Sequence, residues 1–247
     1  GMMSLLMDAK NPRPIGPNYA DSLSGMFAAI GVLGAIAARA KTGRGQQVDT
    51  TMAGSVLAFL IAPATDALAT GRIPGPYTRP MQSQTYAFSG SDGLPFAIHL
   101  SSPQKFWEGL CKAAGHPELI DDARFNTRPN RRKNYDELNR VFTEFFKEKP
   151  RAYWMEQLEA NDVPHTPVYN VLEVFDDPQI KHMGLEITLE RKDRPNIRTV
   201  KYPNEYSATQ SPHPAPPPEL GEHNAEFLKP LGYDDKKIAE LKEKGVI

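Results

Sequence analysis

The sequence predicts an α/β protein that continues into a small α+β domain, and three features lead to this prediction. Residues 1–80 hold a long helix pattern, a short strand pattern and a second helix pattern, an order typical of one layer of an α/β sheet. Residues 81–205 combine strand pairs with short helices. Residues 206–247 begin with a proline-rich strap and end in two short helices.

The first helix is predicted at residues 22–40. Its large apolar side chains recur at three- and four-residue spacing, which is the helical period. Gly25, Gly31 and Gly34 lie inside the same pattern, although an internal glycine costs a helix about 1 kcal/mol relative to alanine. We therefore expect a neighbouring backbone or a ligand to come very close, and the helix to be buried on nearly all sides.

Tight turns organise the rest of residues 1–80. The glycines at 43 and 45 end the first helix, residues 47–52 alternate as a short strand, and residues 53–68 return to the helical period. Proline and glycine make residues 71–80 a linker to the next domain.

The small domain opens on a predicted hairpin, with strands at 84–88 and 94–100 around a Gly/Ser/Asp connection. Ser102 is predicted to cap the next helix, with Pro103 at its first position. Apolar spacing and turn residues then place helices at 130–147, 150–159 and 177–184, strands at 163–169, 185–189 and 197–202, and C-terminal helices at 221–231 and 234–244.

Composition argues against several classes of partner. Lys and Arg number 29 and Asp and Glu number 30, so the net charge of −1 provides no field that would recruit nucleic acid or an anionic membrane. No apolar stretch is expected to reach the ~18 residues of a membrane span, and no signal-peptide pattern is expected at the start. The single cysteine, Cys111, is predicted to be a buried core thiol. The expected compartment is the cytoplasm.

One aspartate is a candidate for chemistry. Asp21 lies where the loop at residues 15–20 runs into the first helix. Aspartate is among the commonest N-cap residues, because its carboxylate accepts backbone N–H bonds and interacts favourably with the helix dipole. A carboxylate fixed at a helix start can also form covalent intermediates. The two roles are compatible, and the local sequence leaves both open.

Three other features favour structural roles. Residues 42–46 lack the P-loop pattern and precede a predicted strand, so they indicate a helix-to-strand turn. The six histidines show no metal-ligand spacing and are interpreted as surface or loop residues, so no metal is expected. A basic cluster is predicted to be a solvated helix start, not a nucleic-acid site: Arg128, Arg131, Arg132, Lys133.

The chain resembles the family III CoA-transferases, also called the CaiB/BaiF family, within the superfamily of formyl-CoA transferase and alpha-methylacyl-CoA racemase. The motifs occur in the family's order along all 247 residues. They are Asp21 with its small-residue helix, residues 42–49, 86–98 and 106–115, residues 122–125 with Arg131 and Asn134, and residues 163–168, 216–223, 231–233 and 245–247.

The resemblance implies the family's fold. Residues 1–80 would be the C-terminal part of a Rossmann-like large domain, residues 81–205 the small α+β domain, and residues 206–247 a strap and helices that return to the large domain. The family assembles as an interlocked homodimer. Family members begin with a long segment that supplies most CoA contacts, so the resemblance also implies an N-terminally incomplete member.

The resemblance further implies a reaction. Asp21 would attack an acyl-CoA thioester to give an aspartyl anhydride, CoA thiolate would return to give an aspartyl-CoA thioester, and a small carboxylic acid would accept the CoA. Coenzyme A and acyl-CoA would be substrates, with no permanently bound cofactor.

Two alternatives to the transferase remain. The family also contains acyl-CoA racemases or epimerases that use a glutamate in Glu-Pro-Gln, but the matching place here reads Ser102-Pro103-Gln104. The glycine-rich loop of oxalate-specific transferases is also absent after the hairpin, which argues against an oxalate preference. The second alternative is that the chain is a non-catalytic remnant with a structural or oligomerisation role.

Overall fold

The computed structural model describes residues 1–7, 11, 13, 16–192, 194–209 and 214–247. The chain divides into two compact units, Gly1–Val168 and Tyr169–Ile247. The domain boundaries expected near residues 80 and 205 stay predictions. Ile15 of the loop before Asp21 and residues 210–213 of the proline strap lie outside the described residues.

The first unit contains eight α-helices and three strands within its described residues. In chain order they are α1 (Tyr19–Thr42), α2 (Met52–Phe59), α3 (Ile61–Thr70), α4 (Thr78–Ser83), β1 (Thr85–Ser89), β2 (Pro95–His99), α5 (Gln104–Ala113), α6 (Arg128–Lys133), α7 (Tyr135–Phe146), α8 (Arg151–Ala160) and β3 (His165–Pro167).

The helix that carries Asp21 begins earlier than predicted. Asn18 is its N-cap and Tyr19 its first residue, so Asp21 lies in the first turn and is not the cap. The helix ends at Thr42, where Gly43 takes a left-handed φ of 71° and donates its N–H to the carbonyl of Arg39.

The prediction that α1 is buried on nearly all sides is wrong within this chain, because no residue of α1 is buried. Met26, Ile30 and Leu33 are 62%, 62% and 66% exposed. The apolar period correctly placed the helix, whereas burial depends on what packs against it. In the described residues α1 contacts α2, and Val48 of the following segment packs against Gly31.

Two predicted elements near α1 also differ from the structure. Residues 47–50 form no strand, because no described segment pairs with them, and α2 already begins at Met52. The helix predicted at 53–68 is broken at Leu60, where α2 and α3 meet at a 78° bend. Thr51 caps α2 by accepting a hydrogen bond from the N–H of Gly54.

By length and composition α1 is able to cross a membrane, and α2 with α3 pass the same test as a bent pair. The prediction that no apolar stretch is long enough is therefore wrong. The core helix of a globular protein has the same length and composition, so this property alone does not indicate a membrane protein.

The predicted hairpin is confirmed. β1 pairs antiparallel with β2, with Ala87 opposite Ala97, and β3 adds to the other edge of β2. Alternate side chains of β1 and β2 enter an aromatic core that α5, α7 and α8 cover: Tyr86, Phe88, Phe96, Trp107, Phe142, Phe146, Trp154. Cys111 is buried in this core, as predicted.

Three details of the helices around this core correct the sequence interpretation. Pro103, not Ser102, is the N-cap of α5, and no side chain caps that helix. The helix predicted at 130–147 is two helices, which meet at Asn134. Arg131 of the basic cluster is buried, because its guanidinium finds oxygen acceptors inside the fold.

The second unit is small. Its described elements are α9 (Pro178–Met183), β4 (Glu186–Leu189), β5 (Ile197–Val200), α10 (Asn224–Leu228) and α11 (Asp235–Glu243). Asp177 caps α9 by accepting hydrogen bonds from the N–H groups of Gln179 and Ile180, so a helix forms where residues 177–184 predicted one. β4 and β5 pair antiparallel, as predicted.

Candidate active site

Asp21 lies on the exposed surface at the start of α1, as the third residue of its first turn. The first N–H groups of an α-helix have no partner inside the helix. Here the N-cap Asn18 makes no side-chain hydrogen bond to them. Asp21 therefore lies beside backbone donors at the positive end of the helix dipole.

The turn before α1 fixes how the helix begins. Gly16 has a φ of 88°, and a Cβ at this position would be 2.7 Å from Cε2 of the Tyr19 ring. The N–H of Tyr19 donates to the carbonyl of Pro17 at 2.8 Å, and the N–H of Ser22 donates to the carbonyl of Asn18 at 3.2 Å. Glycine is thus favoured at position 16 by its left-handed backbone angle, which other residues adopt only with strain. Sequence reasoning missed Tyr19, which a Gly-Pro-x-Tyr turn before a helix could have indicated.

The turn after Asp21 carries no large side chain on the same face. Ser24 donates from Oγ to the carbonyl of Ala20 at 2.6 Å, so its hydroxyl lies against the helix. Among the described residues, no atom lies within 4 Å of where a Cβ on Gly25 would be, neighbouring backbone excluded. The surface beside Asp21 on this side is therefore helix backbone.

Residues 42–46 end α1, as predicted, but no described segment pairs with the residues that follow to form the expected strand. Thr42 donates from Oγ1 to the carbonyl of Ala38 at 3.0 Å, and the N–H of Arg44 donates back to Thr42 Oγ1 at 3.3 Å. Asp49 accepts two hydrogen bonds from the amide of Gln47, at 2.8 and 3.0 Å. These contacts explain the motif as a helix end.

Four clefts formed by described residues have no residue of α1 in their lining. One of about 810 Å³ is lined by residues of α2 to α4 and the linker, including Phe59, Pro63, Pro76 and Arg79. None of the residues that line it belongs to α1. Asp21 is thus an open carboxylate, not one enclosed in a pocket of the described chain.

Residues 122–124 and Asn134, another motif of the resemblance, support a loop. Arg124 donates to Asp122 at 2.6 Å and to Glu137 at 2.7 Å. Asn134 donates from Nδ2 to the carbonyl of Arg124 at 2.8 Å. Together these contacts hold residues 122–124 against α7.

The single cysteine does not compete with Asp21 as the reactive group. Cys111 is fully buried, and burial raises the pKa of its thiol, so the thiol stays protonated. His165 lies in β3, half-buried, with Nδ1 2.7 Å from the carbonyl of Val163. Among the described residues no group of three or more His, Cys, Asp or Glu side chains is placed to hold a metal ion.

Comparison with known proteins gives a consistent result. Residues 1–224 match the family model described as CoA-transferase family III. The succinyl-CoA:glutarate CoA-transferase of Homo sapiens is 31% identical over 251 residues, which cover 96% of this chain and 55% of that protein. The formyl-CoA:oxalate CoA-transferase of Shigella sonnei (strain Ss046) is 30% identical over 254 residues, which cover 92% of this chain and 60% of that protein.

Solved structures show the same fold. A CAIB/BAIF family protein from Brucella suis superposes with a TM-score of 0.80 at 28% identity, covering 94% of this chain and 60% of its own. Rv3272 from M. tuberculosis superposes with a TM-score of 0.75 at 26% identity, and the match covers 92% of this chain and 60% of Rv3272. This chain therefore spans a little over half the length of the relatives it matches. The match over residues 1–224 and the shared fold show that the chain belongs to CoA-transferase family III.

Proposed function

We propose that this chain carries the nucleophile of a CoA-transferase, which moves CoA from an acyl-CoA thioester to a small carboxylic acid. The observation that carries the proposal is the position of Asp21. It is an exposed carboxylate in the uncapped first turn of the helix on which the family resemblance centres. Backbone N–H groups at that helix start are suited to stabilise the oxyanions of acyl transfer.

The reaction divides into covalent steps. A carboxylate oxygen of Asp21 attacks the thioester carbonyl carbon, a C–O bond forms, the C–S bond breaks, and CoA leaves as its thiolate. The thiolate then attacks the aspartyl carbonyl carbon, which releases the donor acid and leaves an aspartyl-CoA thioester. An acceptor carboxylate attacks that thioester, and the returning thiolate takes the acceptor acyl group, which restores the Asp21 carboxylate.

Substrate and assembly are proposed by analogy with the family. Acyl-CoA and a small carboxylic acid are the substrates, CoA is not held permanently, and no metal takes part. The functional form is a homodimer in the cytoplasm, with neither nucleic acid nor membrane as a partner. The named relatives act on succinyl-CoA with glutarate and on formyl-CoA with oxalate, so donors and acceptors of this size are the first to test.

The test is capture of the activated aspartate. The protein is incubated with acyl-CoA and hydroxylamine, and peptide mass spectrometry locates any hydroxamate. We expect it at Asp21, and we expect Asp21→Asn to lower CoA transfer by a factor of about 10³ or more, because the covalent route is lost. Asp49→Asn, a change at another exposed aspartate of the same unit, is the matched control and leaves transfer intact.

The contrary results are distinct. Transfer that survives Asp21→Asn would refute the nucleophile. A protein that binds no acyl-CoA and forms no adduct would instead support the non-catalytic remnant. Exchange of the α-proton of a branched acyl-CoA, without transfer of CoA, would support the racemase.

A further inference from the structure

The cleft of about 810 Å³ lies in the first unit, where α2 and α3 meet at a bend of 78°. Leu60, at the bend, is 8% exposed, and Phe59 and Pro63 continue the lining on either side of it. The volume falls in the range of about 300–1,000 Å³ that is typical of small-molecule sites. The bend therefore forms an apolar wall of a cleft large enough to hold a ligand.

The linker and α4 form a second, polar wall. Thr78, Arg79 and Gln82 line the cleft, and their spacing puts Thr78 and Gln82 on one face of the helix. Oγ1 of Thr78 accepts a hydrogen bond from the N–H of Gly75 at 2.8 Å, and Nη2 of Arg128 donates to the carbonyl of Gln82 at 3.1 Å. These contacts hold the linker and α4 in place, so the polar wall is preformed.

The polar wall carries a cation that has no counter-ion. Among the ion pairs of the described residues, none includes Arg79. Asp66 also lines the cleft, and its Oδ1 lies 3.2 Å from Nη2 of Arg72, in an exposed pair that neutralises its charge only in part. An arginine fork matches one carboxylate with two parallel hydrogen bonds. One ligand carboxylate would thus be matched by Arg79, whereas a second would meet the negative charge of Asp66.

We propose that this cleft binds amphiphilic monocarboxylates, with the carboxylate on Arg79 and the apolar chain along Phe59, Leu60 and Pro63. The ligand class is medium-chain carboxylic acids, which have one charge for the polar wall and a chain for the apolar wall. No residue of α1 lines the cleft. Binding here therefore does not depend on Asp21 and goes beyond the proposed function.

The ligands that test this site differ in chain length and in charge. Isothermal titration calorimetry measures the binding of butyrate, octanoate, suberate and octanol to the whole chain, without acyl-CoA. We expect octanoate to bind at least about 10-fold more tightly than butyrate, because each further buried CH₂ tightens binding by up to about fourfold. Suberate, which brings a second carboxylate, and octanol, which offers Arg79 no anion, should each bind at least about 10-fold more weakly than octanoate.

Substitutions in the lining locate the binding. Arg79→Gln is expected to weaken octanoate binding by about 10- to 100-fold and to leave octanol binding unchanged, and Arg79→Lys, which keeps the charge without the fork, should fall between. Asp66→Asn should narrow the gap between octanoate and suberate. Arg132→Gln replaces an exposed arginine that does not line the cleft, so it is the matched control and keeps the wild-type affinity.

A thermal melt of each variant controls for folding. The proposal would be overturned by a wild type that binds no octanoate, by equal affinities for octanoate and octanol, or by an octanoate affinity that Arg79→Gln leaves unchanged. These results would leave the role of Asp21 in place, because hydroxamate formation from acyl-CoA tests that role separately.

Discussion

Arg131 donates a hydrogen bond from Nε to Oε1 of Gln84 at 2.7 Å, and both side chains are buried. The same guanidinium donates to the carbonyl of Phe125 at 2.8 Å and to Oε1 of Gln104 at 3.1 Å, and it lies 5.0 Å from the ring centroid of Trp107. Among the described residues it has no carboxylate partner in an ion pair. Neutral oxygens and an aromatic face therefore take the place of water around this cation.

Replacing this cation should destabilise the first unit. Arg131→Met would leave two buried oxygens, Oε1 of Gln84 and the carbonyl of Phe125, without this donor, and an unsatisfied buried acceptor costs about 1–3 kcal/mol. Because losing the desolvated charge offsets part of this, we expect the free energy of unfolding to fall by about 2–4 kcal/mol in urea titration. Arg132→Met, an exposed change on the same helix, should stay within about 0.5 kcal/mol of the wild type. Equal stability of the two variants would show that the network contributes nothing.

The contact between Gly31 and Val48 should decide whether Gly31→Ala lowers or raises the stability of the protein. In the wild type, Gly31→Ala brings a methyl group against Val48 and should lower the free energy of unfolding by about 1 kcal/mol, despite better helix propensity. After Val48→Ala the clash is gone, and the same change should raise stability by about 0.5–1 kcal/mol. A double-mutant cycle by chemical denaturation measures this coupling, and additive effects would contradict the contact.

Asp122 should make the free energy of unfolding depend on pH in the acid range. Hydrogen bonds from the side chain of Arg124, and then from its backbone N–H, hold the pKa of the Asp122 carboxyl below its usual value. The ionised Asp122 therefore contributes fully to the free energy of unfolding above the carboxyl's unfolded-state pKa of about 3.9. This contribution is lost as the pH falls through the lower pKa of the folded state. We expect Asp122→Asn to flatten the fall of unfolding free energy below about pH 4. The neighbouring change Asp121→Asn should keep the wild-type slope.

The thiol of Cys111 should report on opening of the core. It is fully buried among apolar side chains, and burial raises its pKa, so both access and thiolate content are low. We expect no alkylation by iodoacetamide in the folded protein at about pH 8, near the usual thiol pKa, and full alkylation in denaturant. Rapid labelling of folded protein would contradict the packing around α5.

Local sequence patterns predicted whether most segments are helix or strand, but they rarely predicted which residues pack against those segments. The hairpin at β1 and β2 was predicted because alternation and turn residues are properties of a short stretch. The break at Asn134 and the left-handed Gln84, at a φ of 52°, were not predicted, because contacts from distant residues fix them. Arg131 looked like a solvated charge in sequence, since its three acceptors are contributed by residues 84, 104 and 125.

The candidate site was predictable only in part. Spacing placed the helix of Asp21 within a few residues, but the sequence offers two good cap residues, Asn18 and Asp21, and spacing alone did not choose between them. The role of Asp21 as nucleophile was suggested by family resemblance and stays a prediction. Burial of α1 was wrongly predicted because apolar periodicity does not say which partner supplies the covering surface.

The position of the aromatic core affects how freely the residues around Asp21 can change during evolution. Its buried residues lie between Tyr86 and Val163, and none of them is on α1. Substitutions around Asp21 therefore remove no core contacts from this chain and leave most of its stability untouched. A helix of this kind tolerates mutational drift better than a core element does, so the surface around Asp21 can vary while the fold persists.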